Sequence, residues 1–266
     1  MKYFKHITII SALLFLGSAC TDFVDYDPKE DFIITEDVYF QSAGDYEAAV
    51  VGTYDPLQWM YLNILIGDIA SDNSQSGGES ATDVVGLQQI DDMVHNPSND
   101  NLTSIWKWCY EGVNRANYLE QNNPVHNTSK EDFDGREVLY GEVYFLRAYY
   151  YFELVKFFGD VPLFTEARLT AGDSANKDRK PASEVYAQIE ADLLAAISVL
   201  PSAGSVQKGR ANKHAAHALL GKVYLYQQKY TEAANELEKV IGVYSLVNDY
   251  GSQFLRSGEN GPESVF

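Results

Sequence analysis

Between Phe145 and Leu163 the chain reads FLRAYYYFELVKFFGDVPL, a helical segment apolar on almost every side. One stripe at helical spacing runs Leu139, Val143, Leu146, Tyr150, Leu154, Phe157. A second runs Tyr140, Tyr144, Ala148, Tyr151, Val155, Phe158. A surface helix carries one such stripe, so a helix with two is enclosed by neighbours. Gly159 then supplies a C-cap and Pro162 blocks continuation.

The remaining periodicity is also helical. A first helix is expected over Tyr46–Trp59, capped by Asp45, with Pro56 kinking or ending it. A second is expected over Leu102–Gln121, capped by Asp100 or Asn101. The enclosed third helix spans Glu131–Phe158, capped by Ser129. Residues 168–180 read as a polar linker. A fourth helix, Ser183–Leu200, presents Tyr186, Ile189, Leu193 and Ile197 and stops at Pro201. Residues 67–101 hold glycines, Ser, Asn and Asp but no Trp, Tyr or Phe, and read as one long loop. Loops of that length in a compact domain are usually functional or disordered.

The fifth and sixth helices carry a tetratricopeptide-repeat pattern. Counting from His214, Leu220 and Gly221 fall on its Leu-Gly sites, Tyr224 on its Tyr, Ala233 on its Ala and Leu237 on its Phe. Gly221 and Ala233 let two helices approach closely, and Tyr230-Thr231 reads as the turn between them. His217 departs from the pattern, where Trp is frequent. One repeat cannot bury its own faces, so neighbours must stack on it.

The FLRA…FGDVPL block, with WKWCYEGVNRANYLEQN before it, resembles the SusD/RagB family of bacterial outer-membrane lipoproteins. The resemblance implies an all-α, tetratricopeptide-repeat-like scaffold with long irregular loops. It implies no catalysis and no cofactor. The implied activity is capture of oligosaccharides at the cell surface and their delivery to a SusC-like TonB-dependent transporter. Members are about twice this length, so the resemblance implies an N-terminal half, with further site residues beyond Phe266.

The N-terminus fits an exported lipoprotein. Lys2 and Lys5 precede an apolar run from Ile7 to Leu16, then Gly17-Ser18-Ala19-Cys20. Such a run is too short to span a bilayer and reads as a secretory leader. The expected organisation is a signal peptide over 1–19, a lipid-anchored extended lead-in over 20–45, and a helical domain over 46–266. Cys20 is the expected lipidation site, although Gly17 stands where Leu is usual. Ordinary cleavage near Ala19 is the alternative. The only other cysteine is Cys109, in the apolar segment IWKWCYEGV, where a buried inert thiol is expected. Net charge is −18, which argues against nucleic-acid or anionic-membrane binding. The expected location is the outer membrane, held by the lipid and facing outward.

Motifs for chemistry are sparse. GGESATD lacks the lysine of a phosphate loop, and there is no Gly-x-Ser-x-Gly elbow. His214 and His217 share a helix face, but no metal-ligand motif accompanies them. Arg147 lies in the enclosed helix and requires buried partners. The sharpest ligand candidates are Asp72 and Asn73, in SDN…GG. They place acceptors and donors side by side, as sugar hydroxyls require, and the resemblance implies the same loop. The other reading of the pair is a plain turn beside the glycines. Trp59, Tyr61, Trp106 and Trp108 flank the loop, most of them expected in the core. The leading function is therefore glycan binding, and the alternative is a repeat scaffold for protein or peptide ligands. A periplasmic hydrolase is disfavoured by the missing catalytic constellation.

Overall fold

The structure, a computed structural model, describes residues 39–71, 73–80, 82–170 and 178–266. Gln41–Phe266 form one compact unit. Its helices are α1 Ala43–Tyr54, α2 Tyr61–Ile69, α3 Val85–Asp91, α4 Asp100–Gln121, α5 Arg136–Phe158, α6 Ala182–Val199, α7 Lys213–Tyr226 and α8 Tyr230–Glu238. A two-residue antiparallel ladder joins β1 Val161–Pro162 to β2 Arg179–Lys180.

From α4 onward each helix packs on the next, and α1 lies against α4 and α5. Helix α5 is the enclosed one: fourteen of its 23 residues are buried, on every side. Tyr150, Tyr151, Phe152, Leu146 and Leu154 are fully buried, each contributing about 1.5–3 kcal/mol by leaving water. Gly159 ends it at φ +69°, donating its N–H to the Val155 carbonyl. On α7, Gly221 faces Leu237 and the Ala233 carbonyl of α8, so this pair has the close approach that the repeat pattern requires.

Several boundaries differ from expectation. Helix α1 begins at Ala43, and Asp45 lies inside its first turn, accepting from the Ser42 N–H at 2.8 Å. Pro56 converts the chain to a 3-10 turn, Asp55–Trp59, because it has no N–H for an α-helical bond. Asn99 caps α4, its Oδ1 accepting from the N–H groups of Asn101 and Leu102. Helix α5 starts after Gly135 rather than Ser129, since Gly135 sits at φ +83°, outside the right-handed helical region. The turn before α8 is Gln227–Lys229, and Tyr230 is already helical. The expected loop over 67–101 contains the end of α2 and the whole of α3.

The segment after β1 has no regular partner, yet its backbone polar groups are satisfied by side chains. Tyr110 donates to the Pro162 carbonyl at 2.7 Å. Asn117 and Tyr151 donate to that of Phe164, at 2.8 and 2.6 Å. Arg147 donates to that of Thr165 at 2.7 Å, and Asn114 bonds both the N–H and the carbonyl of Leu169. An irregular buried segment can persist only on such terms. Arg147 also makes a two-pronged pair with Asp192 of α6, at 2.8 and 2.7 Å, and donates to Asn117.

Candidate functional site

Helix α2 and the segment after it form the most exposed aromatic and polar surface near the candidate loop. Helix α2 buries Leu62, Ile66 and Ile69 and turns Tyr61, Ile64 and Leu65 outward. Tyr61 is 62% exposed and Trp59, just before it, 46%. Most of the four flanking aromatics were expected in the core, and these two are exposed. Tyr61 lies outside because the buried stripe of one-sided α2 is Leu62, Ile66 and Ile69, and Trp59 ends the 3-10 turn before it. Trp59 is stacked on half-buried Trp108 of α4, ring centres 5.9 Å apart and planes at 25°. Its indole is thus backed by a second ring, while nearly half of the residue stays exposed.

Planar polar groups stand in the same region of the chain. Gln58 donates to Asp55 at 2.6 Å, and Arg115 of α4 donates to Asp55 at 2.9 Å and to Glu111 at 2.5 Å. An open aromatic face suits the apolar face of a sugar ring, and carboxylate, amide and guanidinium edges suit its hydroxyls.

At the other end of α2, roughly 12 Å along its axis, Asn73 is exposed in a turn. Its N–H donates to Ser71 Oγ at 3.3 Å, and that hydroxyl donates to the Asp68 carbonyl at 2.9 Å. Asp72 lies outside the described residues, as does Cys20. The loop is held by carboxylates and an amide. Asp91 of α3 accepts from the Ser76 N–H at 2.8 Å, and Asp83 from the Glu79 N–H at 3.2 Å. Gln88 donates to the Asp83 carbonyl at 2.7 Å. These ties were not legible beforehand, because they join side chains to backbone up to fifteen residues away. Below the loop lies a groove of about 730 Å³. Ala70, Met93, Pro97 and Trp106 form much of its wall, with His95, Asn96 and Thr103 as polar lining. His95 and Asn96 carried no sequence signal beyond being polar loop residues.

Other singled-out residues have structural partners. His214 Nδ1 accepts from the Ala203 N–H at 3.2 Å, and His217 Nδ1 lies 2.6 Å from Glu236. Cys109 is fully buried, and burial pushes its thiol pKa up, away from the reactive thiolate.

A family of SusD-like proteins, described as starch-binding and associating with the outer membrane, matches residues 22–225. The chain belongs to the SusD-like family. SusD-like protein P2 of Formosa agariphila is 28% identical over 249 residues, covering 91% of this chain and 46% of P2. A solved laminarin-binding SusD-like protein is 33% identical with a TM-score of 0.71, covering 82% of this chain and 50% of the other. Surface glycan-binding protein A of Bacteroides thetaiotaomicron, solved with laminarihexaose, is 28% identical with a TM-score of 0.71, covering 84% and 48%. This SusD-like chain therefore spans about half the length of the relatives it matches.

Proposed function

We propose that this chain is the glycan-capturing first part of a surface lipoprotein, which passes oligosaccharides to a SusC-like TonB-dependent transporter. In this reading 1–19 is a leader, Cys20 carries lipid, 20–45 is a tether and 46–266 is the scaffold. The protein binds and delivers; it does not hydrolyse. The observation that carries the reading is the exposed surface of α2. Trp59 and Tyr61 stand at one end and Ser71 and Asn73 at the other, with α2 packed against α4. Family membership and the laminarin and laminarihexaose named for two similar structures support a glucan as the first ligand to try.

The test is calorimetry with laminarihexaose on the natural polypeptide. Tyr61→Ala removes a stacking face, and Asp72→Ala or Asn73→Ala removes hydrogen bonds worth about 0.5–1.5 kcal/mol each. Each loop variant is expected to weaken binding several-fold to about tenfold without lowering the melting temperature. Unchanged affinity in all three variants would move the site away from α2 and its loop.

A further inference from the structure

Trp106 of α4 lines two cavities. One is the groove below the loop, and the other is a cavity of about 600 Å³ between α4 and the chain from Pro162 to Leu169. In the second, Trp106, Tyr110 and Phe164 make aromatic walls, Leu169 stands beside them, and exposed Lys107 and Glu111 add charge. Trp106 and Tyr110 are four positions apart, as are Lys107 and Glu111, so α4 presents both pairs on adjacent strips of one side.

The walls are fixed before any ligand enters. The ring centre of Trp106 lies 4.8 Å from that of Tyr110 and 5.1 Å from that of Phe158. Tyr110 is stacked on Phe164, centres 5.6 Å apart and planes at 16°, and its hydroxyl is committed to the Pro162 carbonyl. Asn114 holds both backbone polar groups of Leu169. Mostly apolar and aromatic walls with a few polar groups are the usual lining of a small-ligand site. Lys107 and Glu111 carry opposite charges, which suits a neutral ligand bearing hydroxyl groups better than an ion.

We propose that this cavity is a second holding position for the oligosaccharide, whose chain passes over Trp106 from the groove below the loop, so that the site selects extended oligomers over short ones. This rests on the glycan reading above. A chain of linked sugar rings offers one apolar face after another, and Trp106 is the ring that both cavities share.

Calorimetry on the natural polypeptide tests it, with laminarihexaose titrated directly and laminaritriose by competition against it. Leu169→Trp fills the cavity and keeps the backbone bonds to Asn114. Lys107→Trp obstructs it from an exposed position, where no core contact is lost. The wild type is expected to bind the hexaose roughly tenfold or more tightly than the triose. Each variant should lose most of that preference, with triose affinity and melting temperature unchanged. Equal affinity for the two oligomers in the wild type overturns the inference. So does a hexaose preference that survives in folded Lys107→Trp. In both of those outcomes the glycan reading stands; it falls, and this inference with it, only if neither oligomer binds the wild type.

Discussion

His217 and Glu236 tie α7 to α8 at 2.6 Å, where the repeat pattern has a large apolar residue between the helices. Burial alone would raise the Glu236 carboxyl, but hydrogen bonds from Lys239 and His217 outweigh it and hold the pKa below its ordinary 4.5. A carboxylate depressed on folding contributes stability above its unfolded pKa and loses it as pH falls through the folded value. Glu236→Gln is therefore expected to lower stability at pH 7 by roughly 1 kcal/mol, allowing for solvent screening. The gap from wild type should close below pH 4.5, as thermal melts across pH would record. Equal melting temperatures at pH 7 would mean the pair is idle. Arg147 is the opposite case. Burial works against its charge, yet the Asp192 carboxylate more than compensates and raises its pKa. Arg147→Met leaves the buried Asp192 without a counter-charge, with only Gln188 still donating to it at 2.9 Å, an expected loss of about 3–5 kcal/mol by chemical denaturation. Arg147→Met with Asp192→Leu should recover part of it; a double variant as unstable as the sum of its parts would refute the pairing argument.

At the scale of elements, Gly112, Gly141 and Gly221 set how closely helices approach, and the first and last differ in what a methyl group would meet. On α4, a Cβ at Gly112 would overlap the ring of Tyr150. That ring is fully buried and its hydroxyl is tied to the Thr53 carbonyl at 2.7 Å, so it has no route of escape. On α7, a Cβ at Gly221 would sit 2.7 Å from Leu237 Cγ, but Leu237 is 38% exposed and can swing outward. Gly112→Ala is expected to cost at least 1–3 kcal/mol, the range for overpacking, and Gly221→Ala distinctly less. Calorimetric melts returning the reverse order would contradict this account of the α4–α5 and α7–α8 contacts.

At the scale of the whole molecule, the question is attachment. Among the described residues no helix is long and apolar enough to cross a membrane. The proposed anchor is Cys20, and stable anchoring requires more than one acyl chain. Cys20→Ala is expected to move the protein from the outer-membrane fraction to the soluble fraction. A variant that still pellets with the outer membrane would rule the anchor out.

The long elements were readable in the sequence because helical period is a property of residues a few positions apart. The double stripe of α5 and the Leu-Gly…Ala pattern of α7 and α8 are such properties, and both are present in the fold. Helices α2 and α3 were not readable: they are nine and seven residues long, and their one-sided burial is set by each other and by α4. For the same reason the sequence named Asp72 and Asn73 but placed most of the flanking aromatics inside. Whether Trp59 lies in the core or open on Trp108 depends on a contact 49 residues away. The need of Arg147 for a buried partner was legible from its apolar surroundings. That the partner is Asp192, 45 residues on, was decided only when α5 and α6 packed together. Local spacing determined which segments are helices; long-range packing decided which side chains remain outside to meet a ligand.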